Sequence, residues 1–191
     1  MFEFITKIDL SILYWIQDFL ANDVMDALMV FITTLGDGGI LWIAIAVVLL
    51  FFKKTRKCGI AMGIALVLGL IFGNGIIKNV VGRIRPFQYV LEHSGEVINL
   101  LIEKPGEYSF PSGHTQSSFA AATVIFINNK KWGIPALIMA ALIGFSRLYV
   151  FVHYPTDILA GAFFGVVWAI SAVWIVKIIS EKIAAKKQAS K

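Results

Sequence analysis

Three short stretches hold the residues of this sequence that could do chemistry together: "KNVVGRIRP" from Lys78 to Pro86, "PSGH" from Pro111 to His114, and "SRLYVFVHYPTD" from Ser146 to Asp157. They bring the cations Lys78, Arg85 and Arg147, the histidines His114 and His153, the carboxylate of Asp157, and Ser112 and Gly113 where a helix should start. Guanidinium and ammonium groups, joined by the free N–H groups of a helix start, bind a phosphoryl group and stabilise charge on its oxygens. A histidine hydrogen-bonded to a carboxylate has its tautomer and orientation set, which leaves the distal nitrogen as a nucleophile. A second histidine can protonate the leaving oxygen and later activate water. Hydrolysis on a metal is disfavoured, because these stretches pair no second carboxylate with Asp157 and Cys58 is the single cysteine. Neither a metal nor another cofactor is expected.

Each residue alone has a plainer explanation. A cation at a membrane edge snorkels, Pro-Ser-Gly caps a helix, and a carboxylate in a first turn is stabilised by the helix dipole. Taken together, two histidines and an Arg/Lys group at the same membrane edge favour function, since ionisable residues in membrane segments are costly to keep.

The elements that must position these residues are membrane helices. Of 191 residues, 58% are hydrophobic and 15% charged, and the mean hydropathy is +0.79. Soluble domains carry about 25% charge, so this chain has too little to cover a water-facing surface. The net charge of +5 arises from lysines beside apolar segments, a topology pattern rather than a nucleic-acid footprint. The expected fold is all-α: a polytopic bundle of about six transmembrane helices behind an N-terminal interfacial helix, forming one domain over residues 1–191 with its motif-bearing core at about 58–180. Cys58 to Lys78, Trp132 to Val152 and Thr156 to Ile179 have the ~20 apolar residues a span needs. Gly39 to Phe52 and Gln116 to Ile127 are shorter, and Val24 to Leu35 is weak as a first span. Phe2, Ile5, Ile8, Ile12, Trp15, Ile16 and Phe19 recur at helical spacing ahead of it, as in a helix lying in the interface.

The turns "KKTRK" and "NNKK" and the tail from Lys177 to Lys191 fall on one side of a six-span path, which the positive-inside rule makes cytoplasmic. The turn Gly36–Gly39 and the segment Val80 to Phe110 then fall on the other side with the candidate site. Lys78, Arg83, Arg85 and Arg147 break the rule there unless they have another task. No signal peptide is evident in Met1 to Leu20, which contains Glu3, Lys7, Asp9 and Asp18. Pro86 should end the third helix, and Gly69, Gly73 and Gly75 should allow close helix packing. His93 and the glutamates Glu92, Glu96, Glu103 and Glu107 read as solvated or headgroup-facing.

Lys78-x6-Arg85-Pro86, Pro111-Ser112-Gly113-His114 and Ser146-Arg147-x5-His153-x3-Asp157 together resemble the three-part signature of the type 2 phosphatidic acid phosphatase family, in the family's order. The resemblance covers about Cys58 onward. It implies that His153 is the nucleophile that forms a phosphohistidine, that Asp157 orients it, and that His114 is the general acid and base. It further implies that Lys78, Arg85, Ser112, Gly113 and Arg147 hold the phosphoryl group, that Ser146 supports them, and that no metal takes part. The implied activity is that of a plasma-membrane lipid phosphatase with its site on the extracytoplasmic face. Its partners would be membrane lipids and a lipid phosphate, with no nucleic acid. Undecaprenyl pyrophosphate is slightly favoured over phosphatidylglycerophosphate and phosphatidate. A transporter or binder of anionic headgroups is the rival from another class, and a vanadate haloperoxidase-like activity is a third, disfavoured by the membrane-embedded chain.

Overall fold

The computed structural model describes residues 2–189. Met1, Ser190 and Lys191, and the side chains of Phe2, Lys187 and Ala189, lie outside that description, so the ends of the expected signal-free leader, apolar N-terminal face and basic tail fall there. The described residues form helices and connecting segments without a strand. Three stretches are long and apolar enough to cross a membrane: Arg56–Ser94, Lys130–Tyr149 and Pro155–Lys186.

The first helix, α1 (Phe2–Leu20), presents Ile5, Ile8, Ile12, Trp15 and Phe19 outward and turns Asp9, Leu13 and Ile16 inward. An amphipathic helix is expected there, with Ile16 in the same apolar stripe as Ile5, Ile8, Ile12, Trp15 and Phe19 and with Asp9 elsewhere on the wheel. The structure turns Ile16 and Asp9 inward together, because Asp9 has ionic partners inside. Next, α2 (Asp23–Leu35) starts at Asn22, whose side chain accepts from the Met25 backbone N–H at 3.1 Å. It passes into α3 (Ile40–Phe51) through a short turn at Asp37–Gly39.

That junction bears on the expected six spans. The α2 and α3 axes are bent by 43°, far short of the reversal two separate spans would need. Neighbours along the path agree: Asp26 lies at Tyr149, Thr33 at Arg147 and Gly36 at Ile143. The chain then passes Ser117 at Gly39 and Ser118 at Trp42. It thus runs along one neighbouring helix and then the next without reversing, so α2 and α3 form one bent pair that is long and apolar enough to cross a membrane when taken together. The physical reason is local. Gly38 and Gly39 have φ of 58° and 68°, left-handed values that glycine adopts without penalty, and they kink the backbone without folding it back.

The third apolar stretch is one continuous helix: α4 (Arg56–Leu68), a π-helical segment Gly69–Ile77, and α5 (Lys78–Val81). Gly82, with φ of 58°, ends it in a left-handed C-cap. Pro86 was expected to be the terminator; instead it opens α6 (Pro86–Ser94) at the first helical position, where its missing N–H does no harm. His93 is accordingly on a helix rather than in a loop, stacked on Tyr89. Gly69 and Gly73 do meet a neighbour closely, the Gln116 side chain, whereas Gly75 faces only its own helix.

The centre of the bundle is α7 (Gly113–Asn128), packed chiefly against α8 (Lys130–Tyr149) and α9 (Pro155–Ala189). Most of its buried residues are small, Thr115, Ser118, Ala120, Ala121, Ala122 and Thr123, with Gln116 and Val124 among them. Opposite it, a Cβ at Gly165 of α9 would lie 2.6 Å from the Gln116 carbonyl oxygen. Small residues let helices in lipid approach and gain dispersion contact. The bundle has two distinct ends. One gathers Lys57, Asn128 and Lys177. The other holds the motif residues, with α1 laid against it through Asp9, Tyr14 and Gln17.

Candidate active site

All three motifs reach one cavity of about 700 Å³. Lys78 comes from α5, Arg85 from the residue before α6, Gly113 and His114 from the first turn of α7, Arg147 from the last turn of α8, and His153 from the segment joining α8 to α9. Each of these lines the cavity. Ser112 and Asp157 stand behind the lining. The Ser112 hydroxyl accepts from Thr115 Oγ1 at 3.0 Å and caps α7, and the Ser112 N–H donates to the Asp157 carbonyl at 3.2 Å. Ser146 is fully buried, with its hydroxyl donating to the Ile143 carbonyl.

The electrostatics are lopsided. Lys78, Arg85 and Arg147 are almost entirely buried, where an unpaired charge is expensive. Lys78 Nζ reaches Glu107 Oε2 at 2.7 Å, but that carboxylate is 71% exposed. Arg85 spends two donors on backbone carbonyls, of Glu107 at 2.7 Å and Val152 at 2.8 Å. Arg147 Nη1 donates to Thr33 Oγ1 at 2.6 Å, and its buried Nε finds no acceptor among the described residues. A cavity with this surplus of positive charge and unspent donors suits a multiply charged anion. Glu107, outside the spans, is held below the usual carboxylate range chiefly by its hydrogen bond to Lys78.

His153 is the centre of the arrangement. Its Nδ1 faces Asp157 Oδ2 at 3.4 Å, one helical turn on, and its Nε2 lies 3.2 Å from Arg85 Nη1. Burial holds its imidazole well below the ordinary value, so the ring is neutral at neutral pH, as a nucleophile must be.

Several residues of this site were missed in the sequence. Arg83 binds Asp157 Oδ1 at 2.7 Å and Asp9 Oδ2 at 2.8 Å, and its guanidinium lies 3.7 Å over the Tyr154 ring. Asp9 also accepts from the Thr156 hydroxyl at 2.6 Å and the Thr156 backbone N–H at 3.2 Å. Ser109 donates to Asp157 Oδ2, and so does the Tyr154 N–H, at 2.9 Å. Asp157 is therefore held at both oxygens before His153 is counted. Asp37, within the Gly36–Gly39 turn, and Glu107, read as solvated or headgroup-facing, pair with His114 and Lys78. The one available signal was Arg83, a cation on the wrong side of the positive-inside rule.

The apolar walls of the cavity continue away from the cations between α3 and α4, along Ile43, Val47, Leu50, Leu66 and Val67. A single space with a cationic end and an aliphatic end matches an amphiphile with an anionic head.

Known proteins share this construction. An undecaprenyl-diphosphatase of Sulfolobus acidocaldarius is 37% identical over 142 residues, 74% of this chain and 66% of that protein. The undecaprenyl-diphosphatase BcrC of Bacillus subtilis is 36% identical over 138 residues, 72% of this chain and 68% of that one. The chain thus spans about two thirds of the length of each. The crystal structure of a PAP2 type phosphatidylglycerolphosphate phosphatase from Bacillus subtilis superposes with a TM-score of 0.64 at 25% identity, over 95% of this chain and 85% of that one. The family model described as PAP2 superfamily matches residues 56–180, the stretch that carries all three motifs. The chain belongs to the PAP2 superfamily, the type 2 phosphatidic acid phosphatases.

Proposed function

We propose that this protein is an integral membrane lipid phosphatase that removes the terminal phosphate of a polyprenyl diphosphate, undecaprenyl diphosphate in the first instance, through a phosphohistidine at His153. The undecaprenyl-diphosphatase relatives support that substrate over phosphatidylglycerophosphate and phosphatidate. The single observation that carries the proposal is the shape of the cavity. Buried cations and His153 line one end, and the α3–α4 aliphatic walls offer the lipid chain a place at the other.

In this mechanism the terminal phosphoryl group sits among Lys78, Arg85, Arg147 and the N–H groups at the start of α7. His153 Nε2 attacks phosphorus in line. Arg85, at 3.2 Å from that nitrogen, neutralises charge on the equatorial oxygens as the P–N bond forms. Asp157 keeps the Nδ1 proton in place and stabilises the positive ring. His114 protonates the leaving oxygen as the P–O bond breaks. It then takes a proton from the water that cleaves the P–N bond and releases phosphate. Ser112 acts through the backbone, setting the direction of the α7 N-terminus. A mere headgroup binder would give no task to the carboxylate locked behind His153. Because the site lies at the end opposite Lys57 and Lys177, the positive-inside rule supports a plasma-membrane protein with an extracytoplasmic site.

The test is phosphate release by purified protein in detergent from undecaprenyl diphosphate, phosphatidylglycerophosphate and phosphatidate, with and without chelator. His153→Ala should lower turnover by at least about 10³-fold while leaving the elution profile unchanged. Turnover retained by that variant removes His153 from the nucleophile's role, and loss on chelation overturns the metal-free route. Fastest release from a monophosphate overturns the substrate proposed.

A further inference from the structure

His114 has a carboxylate partner that none of the three motifs contains. Its Nε2 lies 2.8 Å from Asp37 Oδ1, and Asp37 sits in the α2–α3 kink, outside the matched residues 56–180. The kink is built to bring that carboxylate there. Gly38 and Gly39 take left-handed φ on one side of Asp37. On the other, a Cβ at Gly36 would come within 2.7 Å of His114 Cδ2 and 2.8 Å of Ile143 Cγ2. A larger residue at 36 would force the turn, the imidazole or Ile143 to shift, disturbing the contact. The ring lines the cavity, and its Nδ1 has no hydrogen-bond partner among the described residues.

The site therefore contains two imidazole–carboxylate pairs of opposite sense. His153 is held at Nδ1 by Asp157 and offers Nε2, whereas His114 is held at Nε2 by Asp37 and offers Nδ1. We propose that Asp37 is a positioning residue for the reaction: by accepting from Nε2–H it aims the His114 ring and stabilises its doubly protonated form, whose Nδ1 proton is given to the leaving oxygen. The charged groups facing His114 from the surrounding elements are Arg147 of α8, Arg85 before α6 and Glu107 of the segment before α7, with Asp37 from the kink. Asp37 is the one among them that hydrogen-bonds the ring. In the first step the Nδ1 proton passes to the leaving oxygen as the P–O bond breaks. In the second, Nδ1 recovers a proton from the attacking water as the P–N bond breaks. A carboxylate on the far nitrogen supports both steps by stabilising the ring whenever it is doubly protonated.

This inference rests on the phosphatase reading, and the experiment separates the two. Wild type, Asp37→Asn, Asp37→Glu, His114→Asn and the Asp37→Asn/His114→Asn double variant are assayed on p-nitrophenyl phosphate, whose leaving group needs no proton, and on phenyl phosphate, whose leaving group does. Because kcat/KM reports only the steps up to loss of the leaving group, Asp37→Asn should lose about 10- to 100-fold in kcat/KM on phenyl phosphate and less than about threefold in kcat/KM on p-nitrophenyl phosphate. Asp37→Glu should recover part of the loss, and the double variant should be no slower than His114→Asn. Equal losses on both esters, no loss on either, or additive losses in the double variant would overturn the assignment. Should Asp37→Asn not fold, the same split between esters is expected of Asp37→Glu in reduced form, and its absence counts against the proposal equally. A wild-type protein that cleaves neither ester nor any lipid phosphate overturns the phosphatase reading and this inference with it.

Discussion

His153 is asked to be neutral in a cavity crowded with cations, and burial is what makes it so. A buried imidazole favours its uncharged form, and here the direction is strongly downward. The free enzyme should therefore keep its nucleophile deprotonated through mildly acidic solution. As pH falls, activity that depends on His153 is lost only below the ordinary histidine value of about 6.5, so the acid limb of kcat/KM should lie under that point. A limb centred at or above it would mean that the ring is not desolvated as the structure has it. The residues carrying this chemistry were largely legible beforehand. Lys78, Arg85, His114, Arg147, His153 and Asp157 stand at recognisable spacing within three short windows, and all six reach one place. Their supports were not legible. Asp9 finds Arg83 and Thr156 across 74 and 147 positions of sequence, and Asp37 finds His114 across 77. Nothing local distinguishes either aspartate from a solvated one.

At the scale of elements, α1 matters because its single inward carboxylate ties the N-terminus to the catalytic dyad. Asp9 is 2% exposed and shares Arg83 with Asp157, so α1, Arg83 and the start of α9 form one ionic unit. Replacing Asp9 with Asn leaves part of that buried set unsatisfied, at a cost of about 1–3 kcal/mol, visible as a lower melting temperature in detergent. The same change should lower kcat more than it raises KM, since Asp157 loses a fixed counter-ion while the phosphoryl-binding cations are untouched. An unchanged kcat would confine Asp9 to holding the helix down. The π-helical turn behaves similarly. Gly73 faces the buried Gln116 amide, which donates to the Gly69 carbonyl at 2.8 Å, and a Cβ at Gly73 would fall 2.2 Å from that amide. Overpacking of this kind costs about 1–3 kcal/mol, so Gly73→Ala should be clearly destabilised by thermal melting and Gly75→Ala hardly at all. The glycines at 69 and 73 were readable as close-packing sites. The π-turn was not, because π and α turns share one apolar pattern.

For the whole molecule, the decisive feature is the direction of α2 and α3. Hydropathy alone divides the chain at "TLGDGG" and predicts a reversal, because a glycine-rich turn between two apolar runs usually is one. Contacts with α8 and α7 show a bend of 43° instead. The consequence is global. A six-span chain would place both ends on the same side as the basic turns. One broken passage through α2–α3, followed by the α4–α5 run, α7, α8 and α9, places α1 at the site end and the far end of α9 with Lys57 and Lys177. The two arrangements differ in a single measurable respect. Cysteines introduced separately at Ser11 and Lys182, both exposed positions, in cells carrying Cys58→Ala to remove the buried native thiol, should respond oppositely to a membrane-impermeant maleimide. Ser11→Cys should label in intact cells, and Lys182→Cys only after permeabilisation. Labelling of both from one side would restore the six-span path and detach α1 from the active site, taking with it the ionic tie between Asp9 and Asp157 on which the element-scale prediction depends.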